Sequence, residues 1–310
     1  MNSPKKLNYE TRPIKFTERK MLLACLLKIC NYFTGEYQYV GFGGVSFTDF
    51  KLFHKELNID SLISIEGGSF SKEKVEFNSP YSFIRIIRDL STNALGSIDT
   101  SDKTLVWLDY DGTLDNYMFH DLQLLFSKLP VGSIYMITCN RELKYRKEAR
   151  EYTVEEFEDK FGSLKPFGIK PKDFTGSNNY KTIRRMLLNT IQSTLKSRNS
   201  SEGSKLIFSQ IFNLKYRESR GANMYTFGGV ITEEDFDINK LDLSKFDFVN
   251  SEETAYELKI PNLTLKEIEL INKNFNDDAN LLKKNIIDSV DLSTYKKTYR
   301  YLPKFFDTRL

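Results

Sequence analysis

Histidine and cysteine are scarce in this chain. Its 310 residues include only two histidines, His54 and His120, and three cysteines, Cys25, Cys30 and Cys139. The cysteine count is odd and no pair has zinc-type spacing, which excludes a disulfide framework and a zinc-ribbon module. Cys25 and Cys30 read as small apolar residues on the buried side of a helix. Two histidines are too few for a His-rich metal site, and neither adjoins an obvious nucleophile. Long hydrophobic runs are also missing. The most apolar stretch, residues 21–30, contains Lys28 and is well short of the roughly 18 residues that span a bilayer. The opening Met-Asn-Ser-Pro-Lys-Lys has no apolar signal core behind it. A cytoplasmic location and no membrane partner are the expectation. Charge of one sign is not in excess either: 45 Lys and Arg oppose 42 Asp and Glu. Local basic clusters at 144–150, 181–185 and 296–304 are interrupted by apolar or acidic residues, so they read as solvated helix faces rather than a nucleic-acid surface.

Present instead are five short apolar runs in the first 140 residues, each closed by polar or glycine residues. Residues 37–42 lead into Gly43-Gly44, 61–65 into Glu66, and 83–87 into Arg88-Asp89. Residues 104–108 lead into Asp109-Tyr110-Asp111, and 133–137 into Thr138-Cys139-Asn140. Helix-forming stretches separate them, a pattern that predicts an α/β, doubly wound, mostly parallel sheet covered on both faces. In such sheets ligands bind off the carboxyl ends of the strands.

The spacing of Met21, Leu22, Cys25, Leu26, Ile29 and Phe33 predicts a leading helix from Thr17, as N-cap, to about Thr34. Residues 1–16 read as an extended arm. Further helices are expected over 48–57, 120–128, 154–161 and 180–196. Residues 205–216 and 224–231, joined across Ser219–Asn223, read as a β-hairpin. Thr264 with Glu267 makes a capping box for a helix ending near Phe275, and another helix is expected over 278–290. The resulting division is an arm and helix at 1–36, a sheet domain at 37–231 with an insert at 141–204, and a helical extension at 232–310.

Three groups of residues carry chemistry. Gly41-Phe42-Gly43-Gly44 sits where the first strand turns toward a helix, letting backbone approach a ligand. It lacks the dinucleotide fingerprint, because Ser46 stands where a third glycine would fall. Glu66 closes the second strand, where a carboxylate can accept both ribose hydroxyls of a nucleoside. Asp89, or Ser91 beside it, closes the third and could meet an adenine edge. Asp109 and Asp111 close the fourth, as a carboxylate pair able to orient or deprotonate a hydroxyl or amine, or to hold a divalent ion such as Mg with Asn140.

Taken together, these motifs resemble the class I S-adenosylmethionine-dependent methyltransferases, over about residues 17–231. The resemblance implies a Rossmann-like seven-stranded sheet ending in an antiparallel hairpin. It also implies S-adenosylmethionine as cofactor, held by Gly41, Phe42, Gly43, Gly44, Glu66 and Asp89. Asp109 and Asp111 would be catalytic, and the methyl acceptor could be a small molecule, protein or nucleic acid. The family's acidic residue two positions before the first glycine is Tyr39 here, which shifts the contact with the cofactor ammonium to a group such as Asp49. Bacterial proteins labelled putative O-methyltransferase look similar through 39–50 and 107–111, which makes O-methyl transfer the expected reaction. In metal-dependent small-molecule members an Asp follows strand four and an Asp-Asn pair follows strand five; Asp109 and Asn140 match, while Cys139 replaces the second Asp. The insert and the C-terminal extension are expected to build the acceptor pocket or a protein contact.

Two alternatives stay open. One is a cofactor- or nucleotide-binding subunit of a bacterial, defence-type assembly that transfers no methyl group. The other follows from residues 107–114, similar to the first motif of the haloacid-dehalogenase phosphatases, in which Asp109 would attack phosphorus with Mg²⁺ present. The only later Asp-Asp pair, Asp277-Asp278, would have to complete that site.

Overall fold

The computed structural model describes residues 12–303, apart from 69, 146–147, 149, 177, 218–220 and 284–285. Residues 1–11 of the arm, much of the hairpin turn and the last seven residues of the basic tail lie outside the described residues. The chain runs α1 (Pro13–Tyr32), β1 (Tyr37–Gly41), α2 (Thr48–Leu57), β2 (Ser61–Ile65), α3 (Lys72–Asn78), β3 (Ile84–Ile87), α4 (Ser91–Ser97), β4 (Lys103–Thr113), α5 (Asn116–Phe126) and β5 (Ile134–Asn140). The insert holds a two-residue ribbon, β6 (Lys144–Tyr145) with β7 (Arg150–Glu151), then α6 (Val154–Phe161) and the long α7 (Asn179–Glu202). The hairpin β8 (Leu206–Arg217) and β9 (Asn223–Glu233) follows, then β10 (Tyr256–Leu258), α8 (Leu265–Lys273), α9 (Asp278–Lys283) and α10 (Ser289–Thr298).

The main sheet has the order β10-β8-β9-β5-β4-β1-β2-β3. Strands β1 to β5 are mutually parallel, while β9 runs antiparallel to both β5 and β8. This is the expected doubly wound sheet with its closing hairpin, with one correction. Among the described residues the sheet has eight strands, not seven, because β10 adds a parallel edge beside β8. That strand is only three residues long, too short for its Tyr-Glu-Leu alternation to announce it.

Alternation along each central strand divides the core between the two faces. Leu105 and Trp107 of β4 pack with α1, α2 and Val75 of α3; Val106 and Leu108 pack with α4, α5, α6 and α7. The C-terminal segment joins the first face through Leu241, Leu243, Phe248 and Leu258, whereas α8 to α10 form a small cluster of their own around Ile271, Leu281, Leu292 and Tyr295.

Three further expectations need correction. Helix α1 starts at Pro13, not Thr17, because proline suits the first helical turn, where its missing N–H would have no partner anyway. Thr17 is inside the helix and donates its hydroxyl to Pro13 O. Strand β4 does not stop at Leu108: it continues through Asp109 to Thr113, with a register shift against β5 between Asp109 and Thr113. The expected helix over 278–290 is instead two, since Asp288 caps a new helix by accepting from the Val290 and Asp291 amides.

Candidate functional site

The strand ends converge on one cavity of about 530 Å³. Its described lining comes entirely from residues 42–117, including Phe42, Gly43, Gly44, Asp49, Glu66, Leu90 to Asn93, Asp109, Tyr110, Asp111 and Tyr117. No described lining residue belongs to the insert, 141–204, or to the extension, 232–310.

Its floor is a staple between the glycine turn and Glu66. Oε1 of Glu66 accepts from the amides of Gly43 (3.0 Å) and Gly44 (2.9 Å) and from Ser64 Oγ (2.6 Å). The Gly43 amide also donates to Ser64 Oγ. Strand alternation explains the pairing: Ser64 of β2 and Glu66, the first residue past its end, lie two apart and share a face. Gly43 cannot be replaced cheaply, since an added Cβ would lie 2.6 Å from both the Phe47 ring and Ser64 Oγ. Phe47 holds a left-handed backbone (φ 47°) at the start of α2, a conformation its fully buried ring must stabilise. Glu66 is 8% exposed, and burial pushes its carboxyl up from the ordinary range against the lowering effect of Ser64, the two glycine amides and Arg88. Its second oxygen, Oε2, makes no hydrogen bond to a described residue and belongs to a side chain that lines the cavity.

The wall opposite is set by Asp121 of α5, fully buried. It accepts from Ser91 Oγ (2.5 Å), Thr92 Oγ1 (2.5 Å) and Tyr110 OH (2.6 Å), tying the start of α4 to β4. Burial and the Asp121 carboxylate drive the Tyr110 phenol well above its ordinary range, so it stays a donor. Phe42, Tyr110 and Tyr117 form an edge-to-face aromatic row, with centroids 5.1 and 5.7 Å apart.

Behind Asp109 lies a buried polar network carried by α1. Lys15 Nζ contacts Asp109 Oδ2 at 2.9 Å and Glu18 Oε2 at 2.8 Å, and stands 4.9 Å from the Trp107 ring centroid. Tyr216 OH donates to Glu18 at 3.0 Å, and Thr226 donates to its other oxygen. Lys15 is 1% and Glu18 0% exposed. One turn on, Arg19 Nε contacts Asp49 Oδ1 at 2.5 Å.

The expected site residues thus divide. Phe42, Gly43, Gly44, Glu66, Asp109 and Asp111 meet at one cavity, with Asp49 and Ser91 beside them. Gly41 and Asp89 do not line it. An added Cβ on Gly41 would lie 2.3 Å from Tyr39 OH, so that glycine makes room for the tyrosine. Asp89 accepts from the Leu90 amide and Asn93 Nδ2, fixing the entry to α4. Tyr39 itself is core, edge-on to Phe50 and Phe53 at 4.8 Å.

The metal set does not fit. Asp109 is registered with Thr138, while Asn140 pairs with Thr113 and its side chain accepts from the Glu142 amide. Burial pushes the intervening Cys139 thiol up to about 12. Among the described residues no group of three or more His, Cys, Asp or Glu could hold a metal ion. Nor is a phosphatase site assembled, because Asp277 and Asp278 lie in the C-terminal cluster, where Asp278 pairs with Lys296.

Ser64, Asp121, Tyr110, Lys15 and Glu18 are the participants that reading the sequence missed. A signal existed for two of them: Lys15 and Glu18 continue the stripe Leu22, Cys25 and Ile29 at three- and four-residue spacing, so they were charges on the apolar face.

Residues 7–310 match a family model described as "Putative O-methyltransferase". The chain belongs to this family. The sequence resemblance therefore holds, and the strand order with its closing hairpin is that of a class I, S-adenosylmethionine-dependent methyltransferase. No curated protein matches the chain. Among solved structures it is similar to LepI bound to SAH and a substrate analogue (12% identity, TM-score 0.35, 63% of this chain and 43% of that one). It is also similar to PigF with SAH (12%, 0.34, 67% and 54%) and to the N-methyltransferase NodS from Bradyrhizobium japonicum WM9 with S-adenosyl-L-homocysteine (9%, 0.37, 69% and 87%). The matched part spans less than two thirds of the LepI and PigF chains. Among the described residues no helix is long and apolar enough to cross a membrane.

Proposed function

We propose that this family member binds S-adenosylmethionine in the cavity off β1, β2 and β4 and directs O-methyl transfer to a small acceptor, acting in the cytoplasm. The observation that carries the reading is the divided carboxylate of Glu66: one oxygen fastens the glycine turn, the other has no hydrogen bond to a described residue, and the side chain lines a nucleoside-sized space. The residues fit the group. Glu66 Oε2 would accept ribose hydroxyls, and the Gly43–Gly44 backbone would lie along the methionine part. Leu90, Ser91, Thr92 and Asn93 would flank the base. Bound there, the cofactor supplies a methyl group on a sulfonium, an electrophile that needs positioning more than activation.

The chain's own task is then to orient the acceptor and take up its proton. Asp109 is the group proposed for that step, since Lys15 fixes one of its oxygens and its side chain keeps 14% exposure toward the cavity. Asp111 is proposed to help hold the acceptor at the mouth. No divalent ion enters this scheme. The division into 1–36, 37–231 and 232–310 is kept as part of the proposal, with the extension assigned to a protein contact because it contributes no described lining residue. Titration calorimetry with S-adenosylmethionine tests the reading. Saturable one-to-one binding that Glu66→Ala weakens by about two orders of magnitude is expected; binding unchanged by that substitution would refute it.

A further inference from the structure

We infer that the slot between β10 and α10 docks an extended segment of a partner protein, which pairs with the open edge of β10 and sets an acidic side chain against Lys259 and Lys297. This gives the protein contact assigned above to the extension its place and its kind of partner, and it does not depend on the cofactor site. Strand β10 ends the sheet. Among the described residues its backbone hydrogen-bonds only to β8, so the N–H and C=O groups of its other edge have no chain beside them. Helix α10 runs along that edge in the opposite direction. Its start is tied to the residues after β10, where the Asn262 amide donates to Asp291 Oδ1 at 2.9 Å. Just past its end the chain returns to the start of β10, where Tyr301 and Tyr256 both lie against Phe248, with centroids 5.6 and 6.4 Å from it. Between strand and helix a slot of about 430 Å³ remains.

The lining fixes the chemistry of what fits. Ser289, Ser293 and Lys297 are four apart on α10, as are Val290, Thr294 and Thr298, so two adjacent rows line the slot. Leu292 and Tyr295 turn instead to the helical cluster. Val290 is 61% exposed, an apolar contact left in water. An extended backbone matches the alternating donors and acceptors of a strand edge, and alternate side chains of such a segment would meet α10. The charge of the slot selects among such segments. Its charged lining residues are Lys259 and Lys297 against Glu257, and Glu257 already contacts Lys259 at 3.5 Å and Lys215 at 3.9 Å. Lys297 is exposed and pairs with no acid among the described residues. A carboxylate on the docked segment would be its complement.

Selection of a random heptapeptide library displayed on phage against the full chain tests this. Enriched sequences are expected to place β-branched residues in alternation, with Asp or Glu at one fixed position. A synthetic copy of the strongest should bind at least about tenfold more weakly when one alternate set of its amides is N-methylated, the scale of two main-chain hydrogen bonds. N-methylation of the other set should change little. Ser293→Trp, which fills the slot, and Lys297→Glu, which reverses its free charge, should each weaken binding at least about tenfold. Both alter exposed positions, so one keeps the test usable if the other does not fold. Binding indifferent to N-methylation or to both substitutions overturns the proposal, as does a library that yields no sequence separating the wild type from Ser293→Trp. A wild-type dimer that Ser293→Trp dissociates also overturns it, making a second copy the occupant. None of these outcomes bears on S-adenosylmethionine binding, which is titrated separately.

Discussion

Glu66 is the residue on which two jobs meet, and its protonation state separates them. As a carboxylate it is an acceptor for the turn amides and for ribose; as an acid it loses acceptor capacity. Burial raises its folded-state pKa above the unfolded value. The folded chain therefore binds this proton more readily than the unfolded chain, so the residue's contribution to stability falls as pH rises through the interval between the two pKa values. Cofactor binding runs the other way. Affinity for S-adenosylmethionine is expected to weaken on acidification, beginning above the ordinary glutamate range, and the decline should be missing in Glu66→Gln. Calorimetry across a pH series checks this; a flat profile in the wild type would contradict it. At neutral pH Glu66→Ala should lose about 2–3 kcal/mol of binding, roughly two orders of magnitude, the worth of hydrogen bonds to a charged group. Gly43→Ala should lose a comparable amount by pushing on Ser64 and the Phe47 ring, measured in the same titration.

Helices α1 and α5 act on the cavity from behind. Removing the Lys15 charge by Lys15→Met leaves Glu18 and Asp109 facing each other in a buried setting. Breaking a buried ion pair from one side typically costs about 3–5 kcal/mol, and denaturant unfolding should register that loss. A change below about 0.5 kcal/mol would mean that the network is not an energetic unit. Asp121→Ala on α5 strands three hydroxyls, of Ser91, Thr92 and Tyr110. It should destabilise by about 2–3 kcal/mol and loosen the wall flanking the base, so that cofactor affinity falls together with the denaturation midpoint. Both helices were legible in the sequence, α1 from its apolar stripe and α5 as a helix expected over 120–128 that in fact starts at Asn116. Their polar functions were not, because a charge on a buried face becomes informative only when its partner, thirty or two hundred residues away, is brought beside it.

At the scale of the molecule, the parallel core was legible because each of its strands is a short apolar run bounded by turn residues. The runs at 61–65 and 37–42 matched β2 and β1 to within a residue. The eighth strand was hidden, being too short for its alternation to stand out, and the continuation of β4 past Leu108 was masked by acids that resemble a strand end. At the site, Glu66 and the glycine turn could be paired from spacing, since both terminate neighbouring strands of a parallel sheet. The metal set could not be judged that way: Asp109 and Asn140 lie on adjacent strands, yet the irregular register between β4 and β5 keeps Asn140 with Thr113 and away from Asp109. The account as a whole stands on a nucleoside held at Glu66. A crystal structure of the full chain with S-adenosylhomocysteine tests that most directly. The ribose hydroxyls should lie within hydrogen-bonding distance of the Glu66 carboxylate, with the thioether sulfur turned toward Asp109; a ribose bound away from Glu66 would contradict the account.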